Sequence, residues 1–193
     1  KEKLLLYLKR QDYSANIKKQ NVLLSGEDHA NYITNKLKRD PADYRPDITH
    51  QCLLSLLDSP LNKAGKLQVY ITTTSNQVIK VHPSTRIPRT YKRFSALFAQ
   101  LLKRLSVRAE ESSTTLLEIV KSPVTLYLPP EAPKIAFSTK AQLVDFQNSI
   151  KIRQTDKPIV MVVGAVAKGN PTSKSTTLQI RFVFQSMRFQ PAS

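Results

Sequence analysis

The run Ile159-Val160-Met161-Val162-Val163 constrains the fold more than any other segment. It has no polar face, so a strand built from it needs cover on both sides, the condition of a central strand in a parallel sheet between other layers. Gly164 ends the run. An α/β layered fold with a parallel central sheet is therefore expected, and the 193-residue length suits one domain. Lys3–Leu8, Asn21–Ser25 and Ile135–Ser138 read as further strands. Leu67, Val69 and Ile71 alternate with polar residues, Thr74–Asn76 supplies a turn and Val78–Val81 returns, which predicts a β-hairpin inserted over residues 66–82. Pro46 disfavours helix at Arg45, and Asp47 is placed to N-cap a helix carrying Ile48, Cys52, Leu53, Leu56 and Leu57 that Pro60 stops. Phe94, Leu97, Phe98, Leu101, Leu102 and Leu105 repeat at three and four, the clearest helix of the chain. A weaker helix is predicted over Ser113–Lys121, and Pro123–Pro133 is a proline-punctuated connection.

Thirty Lys and Arg against 14 Asp and Glu leave a net charge of +16, an excess that favours a polyanion through phosphate neutralisation and counterion release. Between Asp58 and Glu110 there is no carboxylate, while Lys63, Arg86, Arg89, Arg93, Lys103 and Arg108 fall among apolar positions such as Leu67, Ile71, Phe94 and Leu101. Basic tails are poor in apolar residues, so this charge belongs to folded structure. No apolar run is long enough to cross a bilayer, and Lys3–Arg10 is too short and charged for a secretory core. The single Cys52 allows no internal disulfide, and a reducing, intracellular setting is expected.

Arg86, Arg89 and Arg93 form the sharpest constellation. Pro83 and Pro88 stiffen their loop, Thr90 is placed to cap the next helix, and Arg93 falls in its first turn with no acid nearby in sequence. A helix N-terminus already carries about half a positive charge, so cations there are unfavourable unless an anion such as an RNA or DNA phosphate joins them. A solvated charged face is the plainer alternative. Arg45 and Asp47 straddle Pro46, and the carboxylate there either orients the guanidinium or caps the helix, two roles that can coexist. His29, His50 and His82 are scattered without a second ligand at metal spacing and read as structural, Cys52 reads as core, and no metal is expected. Gly164-Ala-Val-Ala-Lys-Gly169 follows the apolar strand, where open α/β sheets admit ligands. Asn170 and Pro171 replace the Lys and Ser/Thr of a phosphate loop and no G-x-G-x-x-G occurs, which excludes P-loop ATPases and Rossmann dehydrogenases.

Taken together, Arg45-Pro-Asp-Ile-Thr-His-Gln51, Leu56-Leu-Asp-Ser-Pro-Leu-Asn-Lys-Ala-Gly65, Leu67-Gln-Val-Tyr70, Arg86-Ile-Pro-Arg-Thr-Tyr-Lys-Arg-Phe94 and Val163-Gly-Ala-Val-Ala-Lys-Gly169 closely resemble one family. It is the ribosome-biogenesis pseudouridine N1-methyltransferase of the SPOUT class, the essential-for-mitotic-growth or nucleolar essential protein family. The resemblance spans about Lys3 to Gly169 and is strongest from Arg45 to Arg108.

That resemblance implies a SPOUT-type α/β knot over residues 1–169 that dimerises and methylates N1 of a pseudouridine in small-subunit rRNA with S-adenosyl-L-methionine, in the nucleolus and on the pre-ribosomal particle. It puts Arg45, Arg86, Arg89 and Arg93 where the family contacts rRNA, with Asp47 steadying Arg45 as the second member of the catalytic pair. Phe137, Gly164, Gly169, Asn170 and Pro171 stand where the family meets its cofactor. Residues 170–193 form a divergent basic tail without an acid and without the family's Ser-x-Tyr-Pro-Leu-Ser-Ala type of motif, which leaves the completeness of the knot open. The alternative function is a non-catalytic RNA-binding small-subunit assembly factor; a duplex-DNA-binding module stands third.

Overall fold

A computed structural model describes residues 4–9, 14–17, 20–73, 76–109, 113–130, 132–137, 158–165 and 178–180. The strands are β1 (Leu4–Lys9), β2 (Ser14–Ile17), β3 (Gln20–Leu23), β4 (Leu67–Thr72), β5 (Val78–Val81), β6 (Ser106–Arg108), β7 (Thr115–Val120), β8 (Lys134–Phe137), β9 (Ile159–Gly164) and β10 (Leu178–Ile180). The helices are α1 (Ala30–Tyr32), which runs into a wider turn over Ile33–Leu37, then α2 (Pro46–Leu57), α3 (Pro60–Lys63) and α4 (Tyr91–Arg104). Eight strands make one sheet in the order β10-β8-β9-β1-β4-β5-β7-β6. β10 through β4 run parallel, and β5, β7 and β6 extend the sheet antiparallel. β2 and β3 form a separate hairpin.

β9 lies between β8 and β1, as its two apolar faces require. Met161 and Val163 pack on the main core, built from Leu53 and Leu57 of α2, Phe94, Phe98 and Leu101 of α4, and Leu67, Val69 and Ile71 of β4. Val160 points to the opposite face, where it joins Tyr70, Val78, Val124 and Ala132 in a second cluster. There the Tyr127 ring stacks on Tyr70 at 5.6 Å, and burial pushes the Tyr70 hydroxyl above its ordinary pKa. The proline-rich connection thus serves as the second covering layer.

β4 and β5 pair antiparallel with Val69 opposite Val81 and Ile71 opposite Ile79, the hairpin that the alternation predicts. Its first strand is also the parallel neighbour of β1, so the hairpin continues the central sheet. The helix expected over Ser113–Lys121 is instead β7. Leu116, Leu117 and Val120 satisfy a helical spacing, but Thr115, Ile119 and Val120 are β-branched, and the free edge of β5 offers a ladder with Ile79 opposite Ile119 and Lys80 opposite Glu118. Leu117 is thereby fully buried. β6, unread in the sequence, completes the edge after Leu105 turns left-handed (φ 64°) and ends α4 one residue before the expected Leu105. The strand foreseen over Asn21–Ser25 begins a residue earlier and ends at Leu23.

The entry to α2 is also set by packing. Gly26 donates to the Tyr44 carbonyl at 2.8 Å, and any side chain at Gly26 would overlap the Pro41 carbonyl. The turn over Pro41–Asp43 is capped by Asp40, whose Oδ1 accepts from the Ala42 amide at 2.9 Å, and it delivers the chain to Arg45 in one direction.

Phe98 is fully buried with its ring 4.4 Å from that of Phe94. Phe98→Ala is expected to lower stability by about 3–5 kcal/mol. Denaturant unfolding would show this as a lower midpoint at unchanged slope.

Candidate nucleic-acid interface

Pro46 occupies the first turn of α2, where its missing N–H and fixed φ are tolerated, and Arg45 is the flanking N-cap residue. Asp47 therefore lies inside the first turn and is not the N-cap expected from the sequence. Its carboxylate takes the arginine instead: Arg45 Nε donates to Oδ1 at 2.9 Å and to Oδ2 at 3.1 Å, and Nη2 donates to Oδ2 at 2.7 Å. This fork holds one edge of the guanidinium and leaves Nη1 uncommitted to Asp47. The hydrogen bond from Arg45 holds the Asp47 carboxyl below its usual range, against a smaller opposing effect of burial, with further help from the Arg45 charge and the Asp47 and Ile48 amides. The same bond raises the Arg45 pKa.

Farther along α2, the buried His50 places Nε2 2.7 Å from the Pro88 carbonyl, which can only accept, so Nε2 donates. Its ring stacks on Phe94 at 4.5 Å. Helix α2 ends at Leu57 with Asp58 as its C-cap, and Pro60 opens α3 behind the Ser59 cap. Asn62 donates Nδ2 to the Leu57 and Pro83 carbonyls, both at 2.9 Å, while Thr85 donates Oγ1 to the Leu116 carbonyl at 2.9 Å. The loop from Pro83 to Arg89 thus runs along α2 with Thr85 and Ile87 buried and Arg86 and Arg89 turned outward.

A groove of about 800 Å³ opens between this loop and α2 and α3. Arg86 and Arg89 both line it, as do Lys63 and Asp58. Arg89 had no acid near it in sequence; the fold puts Asp58 Oδ2 3.9 Å from its Nη2, with both side chains largely exposed. Asn62 also lines the groove, and its buried Oδ1 has no partner among the described residues.

Arg93 is exposed in the first turn of α4, which carries no acid there, and the Thr90 cap makes no side-chain hydrogen bond. The first turn of α4 therefore presents its own positive end together with the Arg93 charge. The structure brings Arg86 and Arg89 into one groove. Arg45 flanks the start of α2, and neither it nor Arg93 lines that groove. The four arginines are thus not gathered in one pocket.

At the carboxyl edge of the parallel strands, Phe137 ends β8 and Gly164 ends β9 on adjacent strands, both partly exposed, with Ala165 buried behind. This edge is where open parallel sheets take ligands. The buried Thr72, at the same end of β4, has a hydroxyl without a partner among the described residues. Gly169, Asn170 and Pro171 lie outside the described residues.

The family model described as EMG1/NEP1 methyltransferase matches residues 3–188. The chain belongs to this family. The ribosomal RNA small subunit methyltransferase nep-1 of Caenorhabditis elegans is 44% identical over 171 residues, 87% of this chain and 74% of that protein. The NEP1 protein of the same description from Candida glabrata is 53% identical over 149 residues, 77% of this chain and 63% of that protein. Its counterpart in Candida albicans is 50% identical over 147 residues, of whose length the chain spans 55%. A crystal structure of Archaeoglobus fulgidus Nep1 bound to S-adenosylhomocysteine matches with a TM-score of 0.75 at 23% identity, covering 97% of this chain and 91% of that one. That likeness shows the shared fold, the SPOUT arrangement expected from the sequence.

Each of the three histidines makes a hydrogen bond within the fold. His29 accepts from the Ser25 amide at 3.2 Å, His82 Nδ1 meets the Ser84 hydroxyl at 2.7 Å, and His50 docks the loop. Cys52 packs against the core, and burial raises its thiol pKa. Asp58 and Asn62 were missed as site residues. The available signal was that Asp58 is the last carboxylate before the basic stretch.

The pKa of Asp47 is depressed in the folded state. The stabilisation from its pair with Arg45 is therefore complete above the ordinary carboxylate value of about 3.9 and is lost as pH falls through the lower folded value. In an NMR titration Asp47 is expected to titrate below that ordinary value, and Arg45→Ala to bring its midpoint up toward it.

Proposed function

We propose that this chain methylates N1 of a pseudouridine in small-subunit rRNA, with S-adenosyl-L-methionine as donor, during ribosome biogenesis. The observation that supports the reading is a fixed cationic surface: Arg45 held in a fork by Asp47 at the start of α2, and Arg86 and Arg89 sharing one groove with Lys63. Guanidiniums so placed suit the phosphates of an RNA strand, and the relatives named above are small-subunit rRNA methyltransferases. The chain works as a homodimer on the pre-ribosomal particle in the nucleolus.

S-adenosyl-L-methionine, when bound, supplies a methyl group already activated by its sulfonium. We assign the cofactor to the carboxyl edge of β8 and β9, where Phe137 and Gly164 end adjacent strands and where open parallel sheets take ligands. The family resemblance adds Gly169, Asn170 and Pro171, which lie outside the described residues, to the residues that meet the cofactor. What remains for this chain is to hold the nucleoside in line and to stabilise the negative charge that develops as N1 gives its proton to solvent water and its electron pair takes the methyl group. Arg45 provides the compensating positive charge. Asp47 is engaged by Arg45 and held ionised, which makes it a weak general base and an effective positioning group for the guanidinium.

Calorimetry with S-adenosyl-L-methionine and a salt-dependent RNA-binding assay test the reading together. Saturable cofactor binding is expected. Arg86→Ala and Arg89→Ala should each weaken binding of single-stranded RNA and reduce the log–log salt slope by about 0.7 for each phosphate no longer neutralised. RNA binding without any cofactor affinity would replace this reading with the non-catalytic assembly factor.

A further inference from the structure

We propose that the groove between α2, α3 and the Pro83–Arg89 loop seats one unpaired base of the bound RNA, and that Asp58 reads the amino group on that base's Watson–Crick edge. This rests on the RNA-binding reading above and assigns the groove a role in sequence choice. The cavity, about 800 Å³, exceeds what a phosphate needs and lies within the range of pockets that bury small organic ligands. Its lining includes Leu54, Leu57 and Ile87, an apolar floor for the face of a ring. Arg86 and Arg89 at the rim supply planar cations of the kind that stack on bases and meet flanking phosphates.

Asp58 is out of place by every structural criterion. A carboxylate at the C-cap of α2 faces the negative end of the helix dipole. Its ion pair with Arg89 is 3.9 Å long, beyond hydrogen-bond reach, and both side chains are exposed, so the pair adds little. In a groove built only for phosphate, this charge would repel the ligand. An ionised carboxylate is an acceptor with no hydrogen to give. Asn62 does not compete for the base: its Nδ2 serves the Leu57 and Pro83 carbonyls and its Oδ1 is buried out of reach, which leaves the exposed Asp58 carboxylate as the acceptor. The Thr85 hydroxyl is committed to Leu116. Acceptors facing a base select an edge with an exocyclic amine, that of cytosine, adenine or guanine. Uracil offers one ring N–H between two carbonyls that the carboxylate repels.

The full chain is titrated, at fixed salt and by fluorescence anisotropy, into an all-uridine RNA hexamer and hexamers carrying one cytidine, adenosine or guanosine at a central position. The unaltered protein should bind at least one amino-bearing hexamer about fivefold or more tightly than all-uridine. Asp58→Ala should erase that preference while holding or raising all-uridine affinity, since a negative charge leaves the groove. Equal strengthening toward every hexamer, or no preference in the unaltered protein, would overturn the base site. Arg86→Ala separates the two readings: uniform weakening with no base preference leaves RNA binding standing and removes only the base site. Absence of salt-dependent binding to any hexamer removes both.

Discussion

His50 ties three elements together with one ring. Its Nε2 donates to the Pro88 carbonyl while its face lies on Phe94, so α2, the Pro83–Arg89 loop and the start of α4 hold one arrangement. A buried imidazole with its donor satisfied on a backbone carbonyl is tolerated in an apolar core, and losing that acceptor would strand a polar group. Asn62 performs the same service at the other end of the loop through Pro83. Between these two anchors the loop has little freedom, and the outward residues Arg86 and Arg89 inherit their direction from buried Thr85 and Ile87.

The surface that results is electrostatically uncomfortable by itself. Lys92 and Arg93 sit in the first turn of α4, where the helix already presents positive charge, and Arg86, Arg89 and Lys63 share one groove. Apart from Asp58, the basic stretch carries no acid of its own to relieve this. Arg45 is treated differently. Asp47 neutralises and aims it, so this guanidinium is held in one orientation. One end of α2 is therefore preorganised, and the other is a broader cationic groove with a single carboxylate in it.

Much of the frame was readable from residue patterns. The apolar run Ile159–Val163 predicts a strand covered on both faces and becomes β9 between β8 and β1. The three-and-four repeat from Phe94 predicts α4, whose apolar side enters the core while Lys92 and Arg93 stay in solvent. Thr115–Val120 shows the limit. Its six residues fit a helix or a strand equally well by spacing, and the choice fell to the unpaired edge of β5, a partner more than thirty residues earlier that no local window contains. The Arg45–Asp47 pair was readable as a contact because only Pro46 separates them, yet its outcome, clamp instead of cap, depended on Pro46 taking the first helical position.

The chain's own order of residues determines its family, its excess of positive charge, the identities of the arginines and the rigidity of the proline-flanked bends, all of which are local or compositional properties. It does not determine which arginines act together. Arg86 and Arg89 share a groove that Arg45 does not line because the loop that carries them is moored along α2, and mooring through His50 and Asn62 involves separations of 38 and 21 residues. Asp58 meets Arg89 for the same reason. Such pairings are set by packing against a common core, a long-range balance of burial and hydrogen bonding that exists only once the chain has closed on itself.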